Sequence, residues 1–184
     1  MILPIVAYGQ AILKKRAEDV EKSFMGLAEL LNSMWETMYN AQGVGLAAPQ
    51  IGLSKRIFII DTEQALEEEK KEEGIKQSFI NPIKLSEDGE VWTYEEGCLS
   101  IPNIRGDVDR QEKVRLRYQN ENCEIKEETF DGINARIIQH EYDHLEGILF
   151  VDKIKPLKKK LLKRKLENIK KGSISVDYNM KFKS

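Results

Sequence analysis

The only two histidines of this 184-residue chain lie four residues apart, in the sequence His140-Glu141-Tyr142-Asp143-His144. Residues at this spacing lie on one face of an α-helix, so the two imidazoles can act together only if the segment is helical. Two imidazoles placed this way can bind one metal ion, and the glutamate after the first can reach a water molecule beside that ion. The pattern therefore predicts a metal-binding helix, against the alternative of two ordinary histidines that happen to be neighbours.

Length and composition favour one globular domain with a single core, because 41% of the residues are hydrophobic and 33% are charged. Two cysteines, Cys98 and Cys123, are too few for a disulfide framework, which favours a reduced, cytoplasmic setting. No apolar run approaches the ~18 residues of a membrane span, and the charges at 14–16 follow the N-terminal apolar stretch, unlike those of a signal peptide. Neither a DNA nor a membrane partner is expected.

The distribution of hydrophobic residues predicts an α+β fold, in which mostly antiparallel strands pack around a central HExxH helix. An N-terminal helix is predicted over 24–41. Asp131 and Gly147 suit the N-cap and the stop of the central helix, and Pro156 and Gly172 bound a C-terminal helix. That last helix is predicted to bury one apolar stripe, formed by Leu157, Leu161, Leu162, Leu166 and Ile169.

Short apolar and alternating runs predict strands over 56–61, 79–85, 91–95, 113–118 and 123–130. The small, glycine-rich segment 43–50 is typical of a tight loop entering a strand. The acidic segment 63–76 favours a solvated loop or short helix. Residues 1–172 are predicted to form a single catalytic domain, and residues 173–184 a tail without a strong structural signal.

A catalytic metal needs a third protein ligand beyond two histidines, and no other histidine remains. The candidate is Cys98, because a thiolate binds borderline metals strongly and the preceding Gly97 lets the backbone approach closely. Taken alone, Cys98 would more often be a small core residue, and Cys123 keeps that interpretation. Ligand chemistry by itself favours zinc.

Three segments resemble motifs of the peptide deformylase family, in the family's order: GVGLAAPQ at 43–50, EGCLS at 96–100 and QHEYDHLEG at 139–147. No position expected to carry chemistry departs from the pattern. The resemblance implies a hydrolase that removes the N-formyl group from the N-terminal formylmethionine of newly made proteins and releases formate. It also implies Fe²⁺ as the metal, with Zn²⁺, Ni²⁺ or Co²⁺ as substitutes, one ion per chain.

The resemblance also assigns roles. Cys98, His140 and His144 would bind the metal, and Glu141 would accept a proton from water and later return one to the leaving amine. The oxyanion would be held by the Gln50 side-chain amide and the Leu99 backbone N–H. The peptide would lie extended along the strand near 96–97, and its contacts would be Val44, Gly45, Tyr94, Glu96, Gly97, Arg105, Ile133 and Ile137. Without the motifs, Gln50 would be an ordinary loop amide and Arg105 a surface arginine.

The lysine-rich segment 158–165 has two interpretations. It is either the solvated face of a helix or a surface that contacts ribosomal RNA where nascent chains emerge. A monomer is expected. Two other functions stay open: an HExxH protease that cleaves internal bonds, and a non-enzymatic metal module that docks on the ribosome. A formyl-Met-Ala-Ser peptide, compared with its acetylated and internal-bond counterparts, separates the three.

Overall fold

Three α-helices form within the three predicted ranges, each starting from a stretch with apolar residues at helical spacing. They are α1 (Leu27–Asn40), α2 (Gly132–Leu145) and α3 (Pro156–Lys170). The structure is a computed structural model that describes residues 1–21 and 24–183, so Ser184, the last residue of the predicted tail, lies outside the described residues. None of the described helices is long and apolar enough to cross a membrane.

The predicted helix ends are confirmed with one exception. Gly147 and Gly172 both adopt the left-handed conformation, with φ of 73° and 71°, which ends α2 and α3. Asp131 occupies the N-cap position of α2, but its side chain makes no capping hydrogen bond. The central helix therefore begins without the predicted side-chain cap and is held mainly by its packing.

Within the described residues, seven strands complete the α+β fold: β1 (Ile5–Val6), β2 (Gly45–Ala47), β3 (Ile57–Asp61), β4 (Lys76–Cys98), β5 (Ile101–Gln119), β6 (Ile125–Asp131) and β7 (Met180–Lys181). One sheet has the order β2-β3-β4-β5-β6, and all its neighbours are antiparallel. β1 and β7 form a separate parallel pair.

The strand predictions need two corrections. The predicted strands 79–85 and 91–95 are parts of the single strand β4, because register shifts absorb the polar residues between them without ending the pairing with β5. β5 begins at Ile101 rather than near 113. The predicted loop 43–50 contains β2 and a 3-10 turn at Ala48–Ile51. The acidic segment forms two short 3-10 turns, as one of its two interpretations expected.

The helices cover three clusters of buried side chains. α2 packs on aromatic and aliphatic residues of β3, β4 and β5, and α1 packs on the apolar residues of β3. α3 contributes only Leu162, Leu166 and Ile169 to its cluster. Leu157 and Leu161 were predicted to join this stripe, but they are 72% and 73% exposed. Successive helical residues turn by about 100°, so Leu161 faces away from the surface that Leu162 buries.

The C-terminal residues also contact the body of the protein. Ile174, Met180 and Phe182 pack against the cluster under α3, and β7 pairs with β1 near the start of the chain. The division into a domain at 1–172 and a tail at 173–184 stays a prediction. The described part of that tail is nevertheless bonded to the N-terminal strand and to the core.

Candidate metal centre and active site

The three predicted metal ligands lie together where α2 meets the end of β4. α2 carries His140 and His144 with their ring centroids 5.1 Å apart. β4 ends at Cys98, where a two-residue turn leads into β5. One donor atom from each of Cys98, His140 and His144 lies within 4.8 Å of the others, and Cys98 Sγ is 3.4 Å from His144 Nε2. The fold therefore brings Cys98 next to two histidines that lie more than 40 residues later in the chain.

This group of residues fits a divalent metal ion. One thiolate and two imidazoles are the soft and borderline donors that zinc and ferrous ions accept. His140 Nδ1 lies 2.9 Å from Glu96 Oε2. A carboxylate only accepts hydrogen bonds, so Nδ1 carries the hydrogen and Nε2 is free to bind metal. Glu141 Oε2 is buried without a hydrogen-bond partner among the described residues, as expected where a water molecule or substrate belongs.

Glu141 has the environment of a general base. Its side chain is buried, and this burial raises the pKa of Glu141 to about 7. A carboxylate with a pKa near neutrality can both take and return a proton. The absence of a side chain at Gly45 leaves space for the Glu141 carboxylate, because a Cβ at residue 45 would lie 2.8 Å from the Glu141 carboxyl carbon. Gly45, predicted as a substrate contact, therefore also makes space for the predicted base.

The Gln50 amide has a fixed orientation. Gln50 is buried, and its Oε1 accepts a hydrogen bond of 2.8 Å from the Ala47 backbone N–H. Its Nε2 therefore faces the site, 3.4 Å from Cys98 Sγ and 3.3 Å from Ser100 Oγ. This orientation of the amide N–H, beside the predicted metal ligands, suits the donor role that the resemblance implies.

A buried network of charges supports the ligands from behind. Glu96 accepts from Arg110 Nε at 2.6 Å and Nη2 at 3.0 Å, and from Arg136 Nη1 at 3.1 Å. Asp143, within the HExxH segment, accepts from Arg110 Nη1 at 2.7 Å. Because Glu96 also bonds His140, the network fixes the orientation of one predicted metal ligand. Asp143 is itself buried and belongs to this network.

The neighbours set the charge states of this network. Burial disfavours the ionised form of Glu96, but the hydrogen bonds with His140 and Arg110 outweigh it and hold the pKa of Glu96 well below its usual range. Burial and nearby positive charges lower the pKa of His144. For His140, burial opposes protonation, yet contacts with Cys98 and Glu96 raise its pKa. Because an imidazole must be neutral to bind a metal ion, metal binding would require the additional proton to leave His140.

A cleft of about 830 Å³ opens directly onto these residues. Its lining includes Gln50, Leu99, Cys98, His140 and Glu141. Of the predicted substrate contacts, the structure places these in the lining: Val44, Gly45, Tyr94, Glu96, Gly97, Arg105 and Ile137. Among the residues that the structure describes, Ile133 does not line the cleft and instead packs against the core beneath α2. Arg105 pairs with the neighbouring Glu95, and both are largely exposed.

Several residues that shape the site were not identified from the sequence. They are Arg110 and Arg136 in the buried network, Ser100 beside Gln50, and Tyr178 at the cleft wall. The sequence did contain information that could have identified Arg110. Arg110 continues the inward-facing alternation of Ile104, Gly106 and Val108 on β5, and a charged residue at an inward position needs a buried partner. Nothing in the local sequence indicated Tyr178.

A family model described as polypeptide deformylase matches residues 2–160, which include every ligand and every donor described above. The chain belongs to the polypeptide deformylase family. The match begins near the N-terminus and ends within α3, so it covers the five-stranded sheet, the HExxH helix and the cleft lining except residues 175–178.

Individual relatives agree with this assignment. The chain is 53% identical to a peptide deformylase of Christiangramia forsetii, over 99% of this chain and 96% of that protein. It is 51% identical to one of Cytophaga hutchinsonii, over 99% and 98%. Among solved structures, it resembles a Legionella pneumophila peptide deformylase with a TM-score of 0.81 and 39% identity, covering 94% of this chain and 98% of that one. It also resembles a Synechococcus elongatus peptide deformylase in complex with actinonin, with a TM-score of 0.78, 34% identity and coverage of 97% and 92%.

Proposed function

We propose that this chain removes the N-formyl group from the N-terminal formylmethionine of newly made proteins and releases formate. The activity is that of the deformylase family, and the chain is a metal-dependent hydrolase. The observation that carries the proposal is the convergence of Cys98, His140 and His144 beside a buried Glu141, one of whose carboxylate oxygens has no hydrogen-bond partner in the described part of the chain. This arrangement combines a metal site with a base at the same end of one cleft.

We propose that Cys98, His140 and His144 hold the ion. A divalent metal ion there would supply a Lewis acid that acidifies water and polarises the formyl carbonyl. Glu141 would take the proton as water adds to the formyl carbon. The Gln50 amide and the Leu99 N–H would donate hydrogen bonds to the oxygen that becomes negative. When the C–N bond breaks, Glu141 would return the proton to the departing amine, leaving formate and a free N-terminus.

The ion that supports the highest activity is proposed to be Fe²⁺, with Zn²⁺, Ni²⁺ or Co²⁺ as substitutes. The mixed thiolate and imidazole ligands support this range, since they suit all four ions. Iron(II) binds less tightly than the other three in the usual affinity order, so purified protein can exchange it for a substitute. Metal analysis of protein purified without oxygen, paired with activity per bound ion, tests the assignment.

The substrate peptide is proposed to lie along the end of β4. Residues 94–98 pair with β5 on one side, whereas β3 pairs with β4 only over 76–80. Among the described residues, the other edge of β4 near Glu96 and Gly97 therefore has no strand partner, and it lines the cleft. An extended peptide can add to such an edge through backbone hydrogen bonds. Tyr94 and Arg105 flank the path that the following residues would take.

The methionine side chain is proposed to occupy the apolar end of the cleft beside the ligands. Val44 and Ile137 contribute its apolar surface, and Gly45 leaves the space open. Ile133, grouped with Ile137 by helical spacing, would support this wall from the core side rather than touch the side chain.

The decisive test uses Glu141→Gln, which keeps the size of the side chain and removes the base. We expect formate release from formyl-Met-Ala-Ser to fall by roughly 10²-fold or more, with the metal still bound, because general acid–base catalysis contributes this much. The acetylated peptide and an internal peptide bond should react poorly with the unchanged protein. Equal cleavage of the internal bond would favour the protease alternative. Absence of formate release with the metal bound would favour the non-enzymatic module.

A contact with the ribosome is proposed for the outer face of α3. Five cations on this helix are exposed and have no acidic partner within 4.0 Å among the described residues: Lys158, Lys160, Lys163, Arg164 and Lys165. The exposed Leu157 and Leu161 lie among them. Because α3 also buries core residues, charge reversal at Lys160, Lys163 and Arg164 is a better test than deletion of the helix. Salt-sensitive ribosome binding that survives the reversal would exclude this face.

The enzyme is proposed to act as a monomer in the cytoplasm. All three metal ligands and both oxyanion donors come from one chain, so the site needs no residue from a second copy. Sedimentation at micromolar concentration, with and without substrate analogue, tests the monomer. A stable dimer would contradict it.

A further inference from the structure

The two-residue turn Leu99–Ser100 is held from three sides by parts of the chain that are distant in sequence. The Tyr178 hydroxyl donates a hydrogen bond of 2.7 Å to the Leu99 carbonyl. The Tyr8 backbone N–H donates one of 2.9 Å to the Ser100 carbonyl, and Gln50 Nε2 reaches the Ser100 hydroxyl at 3.3 Å. Both carbonyls of the turn that follows the thiolate ligand are therefore satisfied by the two ends of the protein.

Residues 174–182, here named the C-terminal strap, bring Tyr178 to this turn. The strap alternates half-buried and exposed residues, and Ile174, Met180 and Phe182 anchor it in the core under α3. The N–H groups of Ile5 and Ala7 donate hydrogen bonds of 2.9 Å to strap carbonyls on either side of Met180. Between these anchors, the strap lines the cleft from Ser175 to Tyr178. It is fixed at both ends and meets the site in its middle.

We propose that Tyr178 is a positioning residue for deformylation, which holds the Leu99–Ser100 turn so that the Leu99 N–H points at the developing oxyanion. The inference rests on the proposed function, since it takes that N–H as an oxyanion donor. A backbone donor is useful only when its direction is fixed before reaction, and small displacements of such groups are costly. Leu99 has no side-chain hydrogen bond of its own to set that direction. The phenol on its carbonyl supplies the restraint.

The test is Tyr178→Phe, which removes the hydroxyl and keeps the ring in the wall. We expect kcat per bound metal ion to fall by about three- to tenfold with formyl-Met-Ala-Ser, while KM changes less than twofold, because the lost restraint concerns the transition state and not substrate binding. Tyr118→Phe is the matched control. The Tyr118 hydroxyl also donates a hydrogen bond, to Glu128, but among the described residues Tyr118 is not part of the cleft lining. Its kcat should match that of the unchanged protein.

Metal content and the urea midpoint are measured on each variant, so that a loss of folded or metal-loaded protein is not counted as a loss of rate. If Tyr178→Phe keeps a normal kcat, or only its KM rises, the inference is wrong, although formate release by the wild-type sequence would still support the proposed function. If the wild-type sequence releases no formate, both the inference and the proposed function are wrong. If Tyr178→Phe folds poorly, Tyr178→Trp must show the same fall in kcat per bound metal ion; normal kcat there would also reject the role.

Discussion

Glu96→Gln should destabilise both the protein and its metal site, because one carboxylate compensates several buried groups. Glu96 is 4% exposed and accepts four hydrogen bonds, two from Arg110, one from Arg136 and one from His140. Glutamine keeps one oxygen and replaces the other with an NH₂ group. Two of the four donors would then face another donor.

The size of the loss in unfolding free energy depends on the buried charges that remain in Glu96→Gln. Glu96 and Asp143 balance Arg110 and Arg136 in the buried network, so glutamine leaves one positive charge without a partner. Breaking a buried ion pair by removing one partner costs about 3–5 kcal/mol, and burial leaves little solvent to reduce this. His140 loses the carboxylate that fixes its tautomer, which should weaken metal affinity by roughly 10- to 100-fold.

Two measurements check the prediction: urea unfolding of the metal-free protein, and zinc competition against a chromophoric chelator. Glu127→Gln is the matched control, since Glu127 also bonds two arginines, Arg115 and Arg117, but on the exposed face of β6. Its unfolding midpoint and zinc affinity should stay close to those of the unchanged protein. If Glu96→Gln shows the same small effect as Glu127→Gln, the supporting role of the buried network is refuted.

Four further outcomes are expected. Gly45→Ala should lower kcat strongly with a small change in the urea midpoint, because the new methyl group displaces the Glu141 carboxylate; normal kcat would contradict the close packing. In air, the iron form should lose activity faster than the nickel form, since iron promotes oxidation of its thiolate ligand, and equal decay would reject this. Leu166→Ala should cost about 2–5 kcal/mol of unfolding free energy, whereas Leu161→Ala, at an exposed position, should cost little. Burial opposes ionisation of Asp152, but a lysine and a backbone N–H outweigh it and lower its pKa. Its stabilisation is therefore present above the ordinary pKa and is lost as pH falls, so the difference in melting temperature between Asp152→Asn and unchanged protein should shrink toward pH 3.

The metal helix was predictable because its information is local. Spacing alone places His140 and His144 on one helical face, and Gly147 marks the end of the helix by its conformation. Ligand chemistry made Cys98 a candidate, although a single cysteine is usually a core residue, and the resemblance then assigned it as the third ligand. Its position depends on the pairing of β4 with β5, which ends within one residue of Cys98. Convergence of the three ligands is a tertiary property that no local pattern contains.

The first half of β5 escaped prediction for a different physical reason. Gly106 and Arg110 occupy inward positions of the strand, where apolar residues are the usual signal. The glycine is there because Ile154 packs against it, and a Cβ would lie 3.0 Å from that side chain. The arginine is there because it forms buried ion pairs with Glu96 and Asp143. Both residues interrupt the alternation of apolar and polar residues that would have predicted this strand. Both make contacts with residues of other secondary-structure elements.

The residues proposed to bind the metal ion and the substrate were easier to predict from the sequence than the residues that hold them in place. Cys98 and Leu99 share one short motif, because the proposed metal ligand and the proposed oxyanion donor must both lie within a few ångströms of the reacting carbon. The groups that hold them come from β5, α2 and the C-terminal strap, since only distant segments can approach a turn from its outer side. The residues proposed to react can therefore be found from a local sequence motif. The residues that hold them in place can be found only from the order and pairing of the strands and helices. Arg110 and Tyr178 are recognisable only once the strands and the strap are in place.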